Sequence, residues 1–332
     1  MMRARTGLPV LILLLAACGG EPEVATVAPP TFAVDTSRIT VSGVSSGAYM
    51  AGQLHVAHST IVNGAGLIAG GPYWCASGAM KKGLGPCMNG GDMGLDELRA
   101  YADAQAAATA IDALENLGDD KVWLFLGSLD TIINKDVPAA ARDFYANFLP
   151  AENITLVDNI EAPHGMPTLD VGVDCGTVTT PFLNACNYDA AGELLLALHG
   201  PLNARTTAVG DLVSVPQPGA AAADMLGSAL LYVPSSCAAG ESCGVHIALH
   251  GCQQSAEFVG DAFAAGAGYN EWAESNKLLV LYPQVASSKI APLNPLGCWD
   301  WWGYTGDDYA TKSGAQLSTI MATLDSLKAP SP

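Results

Sequence analysis

The sequence predicts an α/β protein in which a mostly parallel sheet carries helices on both faces. Strand-like and helix-like segments alternate through most of the chain, a pattern typical of parallel sheets. The 332 residues are half hydrophobic and only 14% charged, which is the composition of a globular protein with a sizeable core. No internal repeat and no break in composition divides residues 36–330, so we expect one domain there.

The segments follow one another in a regular order. Short β-branched or strongly apolar runs predict strands; they lie at 38–41, 65–70, 121–127, 153–158, 230–233, 245–250 and 278–282. Longer runs with helical composition and spacing predict helices; they lie at 48–58, 96–117, 137–149, 263–276 and 314–328. Residues 165–229 look irregular and predict a lid or an inserted excursion.

The N-terminus resembles a bacterial export signal. Arg3 and Arg5 precede an apolar run at 8–17 that is too short to span a bilayer. The run ends in Leu-Ala-Ala-Cys at 15–18, which resembles a lipobox and predicts lipidation of Cys18. The alternative is an ordinary signal peptide cleaved near this point, with Cys18 incidental.

Residues 19–35 combine three prolines with small and acidic residues and predict a flexible tether. A lipid on one terminal residue anchors a protein to a membrane without spanning it. We therefore expect an exported protein, either a lipoprotein tethered in the periplasm or at the cell surface, or a secreted protein.

The cysteine count supports export. Nine cysteines are present, and removal of Cys18 leaves eight, which predicts four disulfides in an oxidising compartment. Eight cysteines allow 105 pairings, so the connectivity stays open. Proximity along the chain favours Cys75–Cys87, Cys175–Cys186, Cys237–Cys243 and Cys252–Cys298. No CxxC pair is present and the six histidines are scattered, so we expect no metal site.

The charge narrows the range of partners. Fourteen Lys and Arg residues stand against 32 Asp and Glu residues, a formal net charge of -18. Such a surface repels nucleic acid and any anionic polymer, which favours a neutral substrate. The alternative is that the acidity only keeps an exported protein soluble.

One segment carries the pattern of a serine nucleophile. Gly43-Val44-Ser45-Ser46-Gly47 is a G-x-S-x-G box that follows the strand at 38–41 and precedes the helix at 48–58. Glycines on both sides of Ser45 permit a sharp strand-to-helix turn that exposes its hydroxyl. A second match at 240–244 lies between two cysteines and precedes a strand, so we interpret it as a disulfide-closed turn.

A serine nucleophile requires a base and an acid that orients it. In parallel sheets such groups lie on loops after the carboxyl ends of strands. Asp130 follows the strand at 121–127 and is the preferred acid, with Asp158, at the end of the next strand, as the alternative. His164, in a stiff Pro- and Gly-flanked loop, is the preferred base. A turn-forming aspartate and a surface histidine are the ordinary alternatives.

A strand that ends in His250-Gly251-Cys252 resembles the oxyanion loop of lipases and esterases. The second oxyanion donor is then the backbone N–H of Ser46, the residue after the nucleophile. Such a loop ordinarily precedes the nucleophile in the chain, and here it follows. Either the match is accidental or the fold is circularly permuted.

Four blocks together resemble the single-domain poly(3-hydroxybutyrate) depolymerases. They are Ser-Gly-Val-Ser-Ser-Gly-Ala-Tyr-Met-Ala at 42–51, Ala-Gly-Gly-Pro-Tyr-Trp-Cys at 69–75, Leu-His-Gly-Cys-Gln-Gln at 249–254 and Asn-Pro-Leu-Gly-Cys-Trp-Asp-Trp-Trp-Gly-Tyr at 294–304. The resemblance extends over roughly residues 38–325. It implies a circularly permuted α/β-hydrolase fold and extracellular hydrolysis of poly(3-hydroxybutyrate), without a cofactor.

The resemblance also implies roles for individual residues. Ser45 becomes the nucleophile, Asp130 the acid and His164 the base, in agreement with the reasoning from the residues themselves. The backbone N–H groups of Ser46 and Cys252 become the oxyanion hole. Three further residues are expected to contact the substrate, with Trp299 lining the cleft: Trp299, Tyr73 and Asn294.

The chain departs from the family pattern in two ways. Met166 stands where the family has an aromatic residue, two positions after the histidine, which bears on the shape of the cleft. No polymer-binding module or Thr-rich linker follows the predicted domain, so adsorption would use the domain's own apolar surface, for which Trp299, Trp301 and Trp302 are candidates. For Trp301 and Trp302, a role in core packing around Cys298 is an equally good interpretation.

Three functions are compatible with these patterns. The first is hydrolysis of 3-hydroxyalkanoate polyesters or oligomers. The second is a carbohydrate esterase of the feruloyl or acetyl-xylan type, because the fold does not determine the substrate. The third, a non-enzymatic binding lipoprotein, conflicts with the intact Ser45, Asp130 and His164 set.

Overall fold

The computed structural model describes residues 30–329, which are built around an eight-stranded sheet. The strand order is β4-β3-β2-β1-β10-β11-β9-β8, and neighbours from β4 to β11 run parallel. The remaining pairings, β11 with β9 and β9 with β8, are antiparallel. A small sheet of order β5-β7-β6 lies apart. The strands are β1 (Val34–Val44), β2 (Gly64–Ile68), β3 (Lys121–Phe125), β4 (Ile154–Val157), β5 (Met166–Thr168), β6 (Val173–Asp174), β7 (Leu183–Ala185), β8 (Asp211–Pro216), β9 (Ser228–Val233), β10 (Cys243–Leu249) and β11 (Leu278–Tyr282).

The helices cover both faces of the sheet, as predicted. The α-helices are α1 (Ser46–Ala57), α2 (Met80–Leu84), α3 (Pro86–Asn89), α4 (Leu95–Ala107), α5 (Asp136–Tyr145), α6 (Ala190–His199), α7 (Ser235–Ala238), α8 (Ala256–Val259), α9 (Ala262–Gly266), α10 (Tyr269–Asn276) and α11 (Ala315–Ser326). Along β11, Leu279 and Leu281 join a core with α1, α4, α5 and α11. Val280 and Tyr282 join a second core with α6, α9 and α10. Side chains of a strand alternate between faces, so this division places the two groups of helices on opposite sides.

Two predicted helices are interrupted well inside their predicted ranges. The helix expected at 96–117 ends at Ala107, because Thr109 adopts a left-handed conformation with φ 58° that cannot continue a helix. The helix expected at 263–276 is divided into α9 and α10 by Gly268, whose φ is 91°. The amino-acid composition of the two segments does not show either break.

Residues 165–229 are more regular than expected. The segment contains the small sheet, helix α6, which packs under β2 and β3, and β8 at the edge of the main sheet. Within this segment only the part before α6 borders the cleft described below, through Gly165, Val178 and Phe182. Val34 and Asp35 belong to β1, so the end of the predicted tether is a strand. Residues 1–29, with the predicted signal, Cys18 and most of the tether, lie outside the described residues.

The order of the strands confirms the circular permutation. β1 comes first in the described chain, yet it lies inside the sheet between β2 and β10. β10, which ends at Leu249 just before His250, is parallel to β1 and pairs Gly43 with Leu249. Because parallel strands end at the same edge of a sheet, the turn after β1 and the loop after β10 meet there.

The described residues contain four disulfides, in the pairing that proximity along the chain favoured: Cys75–Cys87, Cys175–Cys186, Cys237–Cys243 and Cys252–Cys298. The Cys237–Cys243 bond closes the turn that contains the second G-x-S-x-G match, as expected. Between residues 30 and 329, no helix is long and apolar enough to cross a bilayer.

Candidate active site

Ser45 lies in the turn between β1 and α1. Its φ of 55° and ψ of −120° are unusual for a residue with a side chain, and such conformations concentrate at functional sites. A Cβ on Gly43 would lie 2.1 Å from the carbonyl oxygen of Gly47, and a Cβ on Gly47 would lie 2.4 Å from that of His250. The two glycines of the box are therefore required by close backbone contacts within the turn and between the turn and the loop after β10.

Ser45, His164 and Asp130 form one chain of hydrogen bonds. Ser45 Oγ lies 3.0 Å from His164 Nε2, and His164 Nδ1 lies 2.7 Å from Asp130 Oδ2. Both distances are short enough for proton transfer through a positioned imidazole. The structure thus brings together three residues that lie 34 positions apart, for Asp130 and His164, and 119 positions apart, for Ser45 and His164.

Two backbone groups hold the Asp130 carboxylate in place. Its Oδ1 accepts hydrogen bonds from the N–H groups of Ile132 at 2.7 Å and Ile133 at 2.9 Å, which leaves Oδ2 for His164. The Asp130 side chain is 1% exposed, whereas Asp158 is exposed at the end of β4. Within residues 30–329 the carboxylate of Asp158 has no hydrogen bond to His164, so the geometry favours Asp130.

Two backbone N–H groups next to Ser45 are available for an oxyanion. Ser46 begins α1, and its N–H, like that of Cys252, donates no hydrogen bond to any residue between 30 and 329. The loop after β10 is held by the Cys252–Cys298 disulfide and by Gln254, whose Oε1 accepts from the Gly251 N–H at 2.7 Å. Such fixed donors stabilise negative charge that develops on a carbonyl oxygen.

His250 has a structural environment. Burial lowers its pKa to about 4, so the ring is neutral near pH 7. Its Nδ1 donates to the carbonyl oxygen of Gly251 at 2.7 Å, and its Nε2 accepts from the Val285 N–H at 3.3 Å. With both ring nitrogens engaged, His250 is not available as a base for Ser45.

A cavity of about 590 Å³ opens above Ser45 and His164. Its walls are predominantly apolar, and none of the lining side chains in the described part of the chain carries a permanent charge. Six apolar residues at its mouth are between 41 and 59% exposed, and we call them the apolar rim: Met80, Leu84, Ile132, Val178, Leu293 and Leu296.

Two of the three residues expected to contact the substrate are placed differently from the prediction. Trp299 is fully buried, and its indole N–H donates to the carbonyl oxygen of His250 at 2.9 Å, so it supports the loop after β10 and does not line the cavity. Tyr73 is also buried in the core, with its hydroxyl donating to Ala310. Both predictions were wrong for these side chains, because a sequence block does not show which aromatic residues face inward. Asn294 does border the cavity.

The aromatic wall of the cavity consists instead of Tyr49, Trp301 and Trp302. Tyr49 and Trp301 are stacked with ring centroids 4.5 Å apart, and Trp302 meets Trp301 edge-on. Asp300 accepts hydrogen bonds from the backbone N–H groups of residues 302–305 and so shapes the turn that carries Trp302. The sequence contained a signal for this wall, the Trp-Trp pair, but core packing was an equal interpretation.

Met166 lies outside this wall. It is completely buried in β5 among the core residues near α6 and does not border the cavity. The departure from the family pattern at this position therefore does not alter the walls of the cleft. Among residues 30–329, no group of three or more His, Cys, Asp or Glu side chains is arranged to hold a metal ion.

Comparison with curated proteins finds two relatives. The chain is 38% identical to the poly(3-hydroxybutyrate) depolymerase of Delftia acidovorans over 319 residues, which cover 94% of this chain and 64% of that protein. It is 37% identical to the polyhydroxybutyrate depolymerase of Talaromyces funiculosus over 322 residues, which cover 91% of this chain and 93% of that protein. The chain thus spans less than two thirds of the bacterial relative. No family model matches the chain.

Solved structures are similar over the same range. One is a PHB depolymerase from Penicillium funiculosum, and another is a PHB depolymerase with a serine replaced by alanine, in complex with an R3HB trimer. Each has a TM-score of 0.85 and 35% sequence identity, and covers 91% of this chain and 98% of its own.

Proposed function

The chain belongs to the polyhydroxybutyrate depolymerase family, and on that basis we propose that it hydrolyses esters of 3-hydroxyalkanoates, as polymer or oligomers. The observation that carries the proposal is the hydrogen-bonded chain from Ser45 through His164 to Asp130 at the floor of an apolar cleft. A neutral polyester fits a cleft without charged walls and a protein with net charge -18.

The geometry supports a two-step reaction through an acyl-enzyme. Ser45 Oγ attacks the ester carbonyl carbon while His164 Nε2 takes its proton, and Asp130 keeps the His164 proton on Nδ1. The carbonyl oxygen becomes an oxyanion that the Ser46 and Cys252 N–H groups stabilise. His164 then protonates the leaving alkoxide, and the alcohol departs. His164 then takes a proton from a water molecule, whose oxygen attacks the acyl carbon of the Ser45 ester. His164 returns that proton to Ser45 Oγ as the acid leaves.

The apolar rim supports adsorption to a solid polyester. Exposed apolar side chains that cluster around a cleft mark a binding surface, whereas scattered ones do not. Six of the large exposed hydrophobic residues of the described chain belong to the rim. The catalytic domain can therefore hold a film against the cleft by itself.

A substrate panel tests the proposed function. Release of soluble 3-hydroxybutyrate products from poly(3-hydroxybutyrate) films and from short oligomers is expected from the wild type and not from Ser45→Ala. Hydrolysis of feruloylated or acetylated sugars without any action on films or oligomers would instead establish the carbohydrate esterase. A Ser45→Ala protein that retains most activity would refute the nucleophile.

The same proposal includes the organisation and location of the chain. Residues 36–330 form one catalytic domain, and the protein is exported, consistent with its four disulfides. The Leu-Ala-Ala-Cys sequence at 15–18 supports a lipid tether on Cys18. Expressed in a bacterium, the protein should then partition with membranes and Cys18→Ser should release it or leave it unprocessed. An unmodified N-terminus downstream of Cys18 would refute the tether.

A further inference from the structure

The cleft contains three side-chain carboxamides, and two of them are fully used by the protein. Asn294 donates to the Cys298 carbonyl oxygen at 2.8 Å and to the Tyr304 hydroxyl at 3.1 Å, and it accepts from the Cys298 N–H at 2.9 Å. Gln254 accepts from the Gly251 N–H and donates to the carbonyl oxygens of Pro181 at 2.8 Å and Phe182 at 3.2 Å. Both amides hold the walls of the cleft together and have no group left for a substrate.

The third carboxamide, on Gln253, is different. Gln253 lines the cleft and is partly exposed, and its side chain makes no hydrogen bond to any residue between 30 and 329. Its backbone is fixed, because its N–H donates to the Leu296 carbonyl oxygen at 2.7 Å and its φ is 61°. A left-handed residue other than glycine or asparagine is uncommon and persists where the surroundings require it.

The position of Gln253 determines what it can reach. Gln253 directly follows Cys252, whose N–H is the proposed oxyanion donor, so the Cα atoms of these two residues are only about 3.8 Å apart. A substrate whose scissile carbonyl lies at the Ser46 and Cys252 N–H groups therefore has its neighbouring repeat units close to Gln253.

We propose that Gln253 is a substrate-binding residue whose Nε2 donates a hydrogen bond to the ester carbonyl of a repeat unit next to the scissile one. The proposal rests on the proposed function and names a specificity contact within it. A polyester offers carbonyl oxygens at every repeat, and each loses its water on entering an apolar cleft. A carboxamide donor restores that hydrogen bond, and no other amide of the cleft is free to do so.

The contact would select oligoesters over simple esters. A 3-hydroxybutyrate trimer has a second carbonyl for Gln253, whereas p-nitrophenyl butyrate has only the scissile one. Gln253 then raises kcat/KM for the trimer more than it raises kcat/KM for the simple ester.

The test compares two adjacent glutamines. Gln253→Met keeps the length of the side chain and removes the donor; Gln254→Met does the same at the structural amide. The kcat/KM of each variant is measured for the 3-hydroxybutyrate trimer and for p-nitrophenyl butyrate, and the ratio of the two values is compared with that of the wild type.

For Gln253→Met we expect the trimer-to-butyrate ratio to fall about three- to tenfold, the effect of one neutral hydrogen bond. Gln253→Glu, whose carboxylate cannot donate, should lower it at least as far. For Gln254→Met we expect kcat/KM to fall for both substrates, because the Gly251 segment of the oxyanion loop loses its support. The trimer-to-butyrate ratio should then stay within twofold of wild type.

An unchanged ratio in both Gln253 variants would overturn the inference, and so would an equal loss on both substrates. If the wild type hydrolyses neither trimer nor film, the proposed function fails first. If the wild type hydrolyses them and the ratio does not move, only the role of Gln253 fails.

Discussion

Asp130→Asn should inactivate the protein without disturbing its fold. The Oδ1 atom of Asp130 accepts from the N–H groups of Ile132 and Ile133, so an asparagine must keep its only oxygen at that position. Its NH2 group then faces His164 Nδ1, which has to accept. The remaining proton of the neutral imidazole moves to Nε2, the atom that must take the proton of Ser45. We expect kcat to fall by about 10⁴-fold, the effect of the same tautomer reversal in serine proteases.

The assay is steady-state hydrolysis of p-nitrophenyl butyrate, with thermal unfolding as a check on the fold. Asp158→Asn is the matched control, because Asp158 is exposed at the end of the neighbouring strand, and its activity should stay within twofold. A loss of less than tenfold in Asp130→Asn, or a larger loss in Asp158→Asn, would refute the assignment of the acid.

Three further predictions follow from packing, cross-linking and burial. Gly47→Ala places a Cβ 2.4 Å from the His250 carbonyl oxygen and should lower kcat on all esters more than tenfold. The control Gly52→Ala places a Cβ 3.7 Å from its nearest neighbour and should not lower kcat to that extent; equal kcat values for the two variants would contradict this. Cys252→Ser should lower the unfolding free energy by about 2–5 kcal/mol and reduce kcat more than KM, as calorimetry and kinetics can measure; an unchanged Tm would speak against it. Burial lowers the pKa of three histidines from 6.5 to about 4, so the unfolded chain binds more protons between those values. The free energy of unfolding should therefore decrease as the pH is lowered below 6.5, by up to about 1.4 kcal/mol per pH unit for each histidine. Urea titrations at pH 7, 6 and 5 measure it, and a constant free energy of unfolding would refute the prediction. The histidines are His58, His199 and His250.

The parts of the fold that the sequence predicted well are those with strongly apolar strands. The strands at 121–127 and 278–282 are nearly continuous apolar runs, and β3 and β11 begin at the predicted residues. The ends of helices depended on single backbone conformations, such as those of Thr109 and Gly268, which composition does not reveal. The irregular composition of 165–229 likewise concealed α6 under the sheet.

In the active site, the residues that could be predicted from the sequence are those that follow the ends of strands. Ser45, Asp130 and His164 each occupy such a position, and parallel strands bring those ends to one edge. The walls of the cleft could not be inferred in this way. Trp299 and Trp301 stand two residues apart, yet one supports the loop after β10 from below and the other stacks on Tyr49 in the cleft. Only the path of the loop decides between them.

Covalent trapping of the acyl-enzyme is the most direct test of Ser45 as the nucleophile. An acyl-enzyme formed from a p-nitrophenyl 3-hydroxybutyrate ester can be quenched in acid during the first turnovers and digested for peptide mass spectrometry. We expect a 3-hydroxybutyryl group on the peptide that contains Ser45, located on that residue by fragmentation and absent from Ser45→Ala. A 3-hydroxybutyryl group on another residue, or the same label in Ser45→Ala, would contradict it.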